Sequence, residues 1–190
     1  MVITGDVSSE GSMDLVGTIN GNIDILGKLN ITGYINGNSK AAEIFAEGAK
    51  INGEIVSEGS VKIGASSVVI GNITAISAAI AGAASEFFAD VAKVEGEVVS
   101  SGTVKIGAGS VIIGNISAAS AVIAGAIKGD IDVQGPVVLD SSAIVMGNIK
   151  SKSVQINNGA VIEGMCSQCY ADVSPTSFFD DYKPEKKKVK

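Results

Sequence analysis

The chain has 190 residues, a net charge of −6 and no histidine. Because it also lacks arginine, and nucleic-acid affinity comes mainly from neutralising phosphates, we expect no nucleic-acid partner. Its 24 glycines, 3 prolines and 4% aromatic residues argue against a layered globular core, which relies on larger side chains.

The chain begins with MVITGDVSSEG, which lacks the charged and apolar regions of a secretory signal peptide. No apolar run approaches the roughly 18 residues of a membrane span. These features predict a cytoplasmic protein. Residues 1–4 are interpreted as a short lead into the first repeat.

From residue 5 onwards a short motif recurs, consisting of a glycine, then usually Asn, Asp or Glu, then usually an apolar residue. Successive motifs begin 15–18 residues apart, except for one interval of 25 residues. A short repeat sustained along a chain is typical of solenoids, in which each unit packs only on its neighbours. The opening glycines are Gly5, Gly21, Gly37, Gly53, Gly71, Gly96, Gly114, Gly129, Gly147 and Gly164.

Apolar residues alternate within each unit. Residues 61–63 (VKI) return at residues 104–106, and this apolar-polar-apolar order predicts a strand with one buried face. Glycine and small polar residues, which accept sharp turns, separate about three such strands per unit. We therefore predict an all-β, single-domain parallel β-helix of about nine coils over residues 5–166.

The polar residue after each glycine predicts an architectural corner, because stacked asparagines can bond along the axis of a solenoid. These asparagines are Asn22, Asn38, Asn72, Asn115 and Asn148. The alternative is a row of metal-binding carboxylates, and it is rejected because asparagines interrupt the acidic residues Asp6, Glu54, Glu97 and Asp130. We expect no metal and no other cofactor.

The interval of 25 residues is interpreted as a normal coil with an insertion near residues 82–90, GAASEFFAD. Phe87 and Phe88 are predicted to lie there on a loop or a single helical turn. We expect the pair to fold back over the coils. The alternative is an exposed patch that contacts a lateral neighbour or a partner.

Cys166 and Cys169 form a C-x-x-C motif just after the last coil. The motif supplies two zinc ligands where four are usual, and no histidine completes the set. It also lacks the strand-to-helix context of redox motifs. We expect ordinary reduced thiols, with a zinc ion shared between two chain ends as the alternative.

Residues 167–190 are predicted to form a flexible, lysine-rich tail. The lysine run is interpreted as a solvated segment. The alternative is weak adhesion to an anionic membrane, at the inner face of the cell membrane. The side chains available for that contact are Phe178, Phe179, Tyr182, Lys186, Lys187, Lys188 and Lys190.

No residue pattern predicts a catalytic site. Solenoid acyltransferases with hexapeptide repeats depend on a histidine base, which this chain lacks. Solenoids that cleave polysaccharide use carboxylate clusters, and only Asp130 and Asp132 form an acidic pair absent from neighbouring units. We expect a non-enzyme. A carbohydrate-binding module or carbohydrate-active enzyme is the alternative.

The predicted rod has two ends, each with unpaired backbone groups and an apolar cross-section of the kind that proteins normally cap. Like-on-like stacking at both ends would give a homopolymer, a filament without polarity. No phosphate-binding glycine motif is present, so assembly should need no nucleotide. The expected contact residues are Val7, Met13 and Leu15 at one end, and Val154, Ile156, Val161 and Ile162 at the other.

The units VKIGASSVVIGNI, VVLDSSAIVMGNI and SVQINNGAVIEG resemble the bactofilin family over about residues 5–166. The resemblance implies a right-handed, roughly triangular β-helix that polymerises end to end without nucleotide. It further implies a cytoskeletal scaffold, often at the membrane, that localises cell-wall or other morphogenetic proteins. The family's last coil commonly reads G-A-x-F-E-G, whereas Ile162 stands here at the aromatic position and offers less contact area.

Overall fold

The computed structural model describes residues 1–81 and 92–169. Within these ranges the only regular secondary-structure elements are β-strands. In chain order the strands are β1 (Val2–Thr4), β2 (Val7–Ser9), β3 (Met13–Leu15), β4 (Thr18–Asn20), β5 (Ile23–Ile31), β6 (Tyr34–Asn36), β7 (Ser39–Ala46), β8 (Lys50–Asn52), β9 (Ile55–Ser57), β10 (Ser60–Ile63), β11 (Val68–Ile70), β12 (Ile73–Ala75), β13 (Ser77–Ile80), β14 (Ala92–Glu95), β15 (Val98–Ser100), β16 (Thr103–Ile106), β17 (Ser110–Ile113), β18 (Ile116–Ala118), β19 (Ser120–Ile123), β20 (Ala126–Lys128), β21 (Ile131–Leu139), β22 (Ile144–Met146), β23 (Ile149–Ile156), β24 (Val161–Glu163) and β25 (Cys166–Ser167).

The strands wind into about nine turns of a solenoid with three faces, and all pairings are parallel. Face A is a 10-stranded sheet that takes one strand from each coil, from β1 to β24. Faces B and C belong to one 15-stranded sheet, because β5, β7, β21 and β23 each run across the corner between them. The predicted all-β parallel β-helix is confirmed.

The core is one side chain wide and consists of rows that run along the rod. The clearest row lies at the centre of face A, where each residue pairs with its equivalent one coil away. It contains Ile3, Ile19, Ile35, Ile51, Val69, Val94, Ile112, Ile127, Val145 and Ile162. The eight inner members are buried, and each contributes about 1.5–3 kcal/mol of hydrophobic stabilisation. The row consists of β-branched side chains, Val and Ile, which pack well on the surface of a sheet.

The opening glycines stack at the corner between faces A and B. Their φ angles lie between +125° at Gly5 and +156° at Gly21, a region that other residues rarely adopt. A Cβ at any of them from Gly21 onwards would overlap the carbonyl oxygen of the preceding opening glycine. Both the backbone angle and the close approach of coils therefore require glycine.

Where Asn or Asp follows the glycine, its side chain bonds the coils together, through a partner that differs from the predicted one. The Asn22 Oδ1 atom accepts a hydrogen bond from the Asn38 backbone N–H at 3.0 Å, and Asn38 Oδ1 accepts one from Glu54 N–H at 2.9 Å. Asp6 and Asp130 accept the same bond at 2.7 and 2.8 Å. Because the acceptor is one side-chain oxygen, Asn and Asp are interchangeable there, which explains their mixture in the sequence.

Residues 82–91 separate β13 from β14, between faces C and A. The strands β13 and β14 both keep register with the coils on either side of them. The predicted contact pair, Phe87 and Phe88, lies outside the described residues. So do the predicted membrane-contact residues of the tail, Phe178, Phe179, Lys186, Lys187 and Lys188.

Substituting Gly53→Ala should destabilise the rod by roughly 2 kcal/mol or more, because a left-handed backbone and a clash with the Gly37 carbonyl combine. Urea unfolding followed by circular dichroism measures the loss. The matched control is Gly11→Ala, where the nearest atom to an added Cβ lies 3.8 Å away and φ is not positive. Equal stabilities of the two variants would contradict the corner argument.

Substituting Asn38→Ala removes the acceptor for the Glu54 N–H and should cost about 1 kcal/mol. Asn38→Asp keeps an acceptor oxygen and should retain most of the stability at high ionic strength, where repulsion from Glu54 is screened. The same urea titration compares the two. A loss for Asn38→Asp as large as that for Asn38→Ala would refute the assigned hydrogen bond.

Candidate functional site

The core of the rod reaches solvent at its two ends. Six apolar side chains pack against the buried core but are only partly buried themselves. Three belong to the first coil and three to the last coils: Ile3, Val7 and Met13, then Val154, Ala160 and Ile162. Each end therefore presents an apolar surface that the next coil would cover if the solenoid continued.

At the N-terminal end, Val7 pairs with Ile23 and Met13 pairs with Leu29, so both predicted contact residues occupy core rows of the first coil. Leu15 was also predicted to make this contact, but it is 1% exposed and offers no surface to a partner. Ile3, which begins the face A row, is only partly buried and offers apolar surface at this end instead.

Ile3 was missed because residues 1–4 were interpreted as a lead ahead of the first coil. The structure shows that Val2–Thr4 is β1, paired with β4. A signal was present in the sequence. Ile3 lies two residues before the opening glycine Gly5, just as Ile19 lies two residues before Gly21.

At the C-terminal end, Val154, Ile156 and Ile162 continue core rows, since they pair with the buried residues Val137, Leu139 and Val145. Ile156 is 52% exposed, and no coil among the described residues covers it. Val161 was predicted to join this contact, but it pairs with Ile144, which points outward. Val161 therefore lies on the side of the rod.

Cys166 also reaches the C-terminal end, in a position that the sequence did not reveal. It pairs with Ile149 and so continues a core row of face B, where its side chain is exposed. Cys169 is exposed as well, and its Sγ lies 2.8 Å from Ser167 Oγ. Among residues 1–81 and 92–169, no group of three or more His, Cys, Asp or Glu side chains is placed to hold a metal ion.

Polar contacts connect the last coils, in the part of the chain that the structure describes. Asn157 Nδ2 donates to Asp140 Oδ1 at 3.3 Å across the coils, and the Ser141 N–H donates to the same oxygen at 2.8 Å. The Ser141 bond and then the Asn157 bond lower the pKa of Asp140 from its ordinary value, because both favour the carboxylate. The terminal surface is therefore ordered while its apolar rows remain open.

The two ends differ in charge. Residues 1–17 contain the carboxylates of Asp6, Glu10 and Asp14 and no lysine. The last coils, from residue 144 to 169, contain Lys150 and Lys152 against one acid, Glu163. Contact between two N-terminal ends therefore brings acidic surfaces together, whereas contact between two C-terminal ends does not.

The acidic pair Asp130 and Asp132 lines a shallow depression of about 330 Å³ over the outer surface of face B. Asp130 Oδ1 accepts the Asn148 N–H in the corner ladder, so one member of the pair is a structural hydrogen-bond acceptor. Glu97, Asn148 and Lys150 also line the depression. Separately, no helix in the described ranges is long and apolar enough to cross a membrane.

Comparison with known proteins agrees with this architecture. The sequence model of the bactofilin family, described as polymer-forming cytoskeletal, matches the chain twice, over residues 1–87 and 83–167. Searches of curated proteins and of solved structures each gave no match. The two family matches together cover the described rod from its first strand to its last. This chain therefore belongs to the bactofilin family of polymer-forming cytoskeletal proteins.

Proposed function

We propose that this protein is a nucleotide-independent filament-forming scaffold whose rods join end to end, like end on like end. The observation that carries the proposal is the Ile/Val row of face A, which runs from Ile3 to Ile162 and is open at both ends. Contact between two ends continues a core that each rod leaves unfinished.

The energetics favour moderate, reversible contacts. Each end offers only a few apolar side chains, and covering one completely contributes at most about 1.5–3 kcal/mol. Association itself costs roughly 4–15 kcal/mol in lost freedom. Backbone groups at the edges of the terminal strands add hydrogen bonds, since β1 and β24 each have one described neighbour. Assembly is therefore expected to depend on protein concentration.

The proposal includes a structural, non-catalytic role in the cytoplasm, supported by the family's polymer-forming cytoskeletal character. A scaffold of this kind presents the sides of many rods to its partners, which we propose are cell-wall or other morphogenetic proteins. Peripheral, weak attachment to the inner face of the cell membrane is proposed for the aromatic and basic tail residues.

Substituting Ile162→Asp should block the C-terminal contact, because a desolvated charge would replace an apolar row end. Rods joined like on like would then stop at dimers through their N-terminal ends. Ile3→Asp should likewise leave dimers joined through C-terminal ends, and the double variant should be monomeric. Analytical ultracentrifugation gives the sizes, and negative-stain electron microscopy shows the loss of filaments.

Ser153→Asp is the matched control, since it adds the same charge at an exposed, outward position of the terminal coil. It should form normal filaments, and circular dichroism should show that all the variants stay folded. Normal filaments from Ile162→Asp would reject the assigned contact. Monomers from both single variants would instead indicate head-to-tail joints.

Salt should act differently on the two joints. The dimers of Ile162→Asp join two acidic ends, so their dissociation constant should fall as sodium chloride is raised and repulsion is screened. The dimers of Ile3→Asp join ends of mixed charge and should change less. Sedimentation at several salt concentrations measures both, and an equal response would contradict the assignment of the acidic joint.

A further inference from the structure

The outer surface of face A carries an apolar patch near the C-terminal end, on β20, β22 and β24. We call it the side patch. Its inner column is Ala126, Ile144 and Val161, and its second column is Lys128, Met146 and Glu163, one residue from each successive coil. Ile144, Met146 and Val161 are 46%, 46% and 54% exposed, so the apolar groups of the patch face solvent.

The fold does not require apolar residues there. The same two columns in the second to fourth coils hold Thr18 and Asn20, Tyr34 and Asn36, and Lys50 and Asn52. Tyr34 is the one large apolar side chain among these six. Nearer the middle of the rod the second column also holds exposed apolar residues, Ile70 and Ile113, and Ile113 pairs with Lys128 at the border of the side patch. A contiguous exposed apolar area marks an interaction surface.

The charges within the side patch are arranged symmetrically. Lys128 and Glu163 lie in one column, one coil to either side of Met146. Among the described residues neither makes an ion pair, whereas Lys28 pairs with Glu43 at 2.8 Å on another face. A lysine and a glutamate at equal distances from a central methionine fit a partner that carries the same arrangement reversed.

We propose that the side patch binds the side patch of a second copy of this chain, with the two rods antiparallel. A two-fold axis along β22 then places Met146 and Ile144 opposite their own equivalents. The same axis places Lys128 opposite Glu163 of the second copy and Ala126 opposite Val161 of the second copy. Because the axis is two-fold, each of these contacts forms twice in the dimer. Apolar groups meet apolar groups, and both charges are paired.

Parallel rods do not satisfy the same surface. A two-fold axis along the rod exchanges the two columns within each coil, so Lys128 would face Ala126 and Glu163 would face Val161. Both charges would then be covered without a partner, which costs more than an apolar contact returns. The charge pattern therefore selects the antiparallel arrangement.

The pairing is separate from the end contacts, because outward side chains of face A form it and the core rows do not. One patch contributes six residues per copy, which is small for a stable dimer. Rods already linked in filaments would repeat the contact along their length, and the combined contacts would hold filaments side by side. We therefore expect lateral pairing of filaments.

The test is cross-linking through Met146, which the axis places opposite itself. The parent chain carries Met146→Cys with Cys166→Ser and Cys169→Ser, and with Ile3→Asp and Ile162→Asp to disable the proposed end contacts. A short bis-maleimide spans the roughly 10 Å between packed sheets. We expect a covalent dimer on denaturing gels after cross-linking at high protein concentration, where this small contact is populated, and little dimer when Asn36→Cys replaces Met146→Cys on the same face.

Charge reversal then identifies the partner. Lys128→Glu alone and Glu163→Lys alone should each lower dimer yield about tenfold, because like charges face each other. Mixing the two single-reversal chains, or combining both reversals in one chain, should restore the yield. Lys50→Glu, which makes the same charge change in a distant coil of face A, should leave it unaltered.

An absent dimer in the parent chain, or single reversals that have no effect, would overturn the proposal. So would single reversals that mixing fails to rescue, because the charges would then act within one chain. The outcome is independent of the proposed end contacts. If end-to-end filaments do not form at all, this assay still reports the side contact.

Discussion

The structure depends on one constraint, which is that each coil satisfies its backbone and buries its apolar face only against the next coil. The parallel pairings and the single-width core rows both follow from it. No coil is stable alone, so the geometry at the corner determines whether coils can approach closely enough. The stacked glycines allow that approach, and the Asn and Asp side chains bond the corner where backbone strands do not.

The same constraint gives the ends of the rod their character. A terminal coil has a single described neighbour, so Ile3, Val7 and Met13 in the first coil are only partly buried, although Leu15 of the same coil is buried. Ile3 and Ile162 are chemically the same as Ile19 and Ile35 in the middle of the row, and their exposure comes from position alone. Stacking of coils forms the core, and the terminal coils of the same stack leave apolar surface to which another copy can bind.

The sides of the rod follow a different rule. Outward residues contribute little to the stacking of coils. Their side chains can therefore vary and determine which other molecules the rod contacts. Face A shows this freedom, since its polar second to fourth coils and the apolar side patch share one backbone register. Ends and sides are thus physically independent surfaces, and a filament that uses both can lengthen and bundle through separate interactions.

The sequence alone determined the parallel β-helix, its coil length and its corners. These features follow from local rules, namely alternation within strands and glycine at a fixed interval, and they recur in each unit from Gly5 to Gly164. Only the tertiary structure decided which terminal side chains are exposed. Leu15 and Ile3 are both apolar residues of the first coil, yet Leu15 is buried and Ile3 is only partly buried. The side patch was likewise hidden from the sequence, because Lys128, Met146 and Glu163 are distant along the chain and become neighbours only through the stacking of coils.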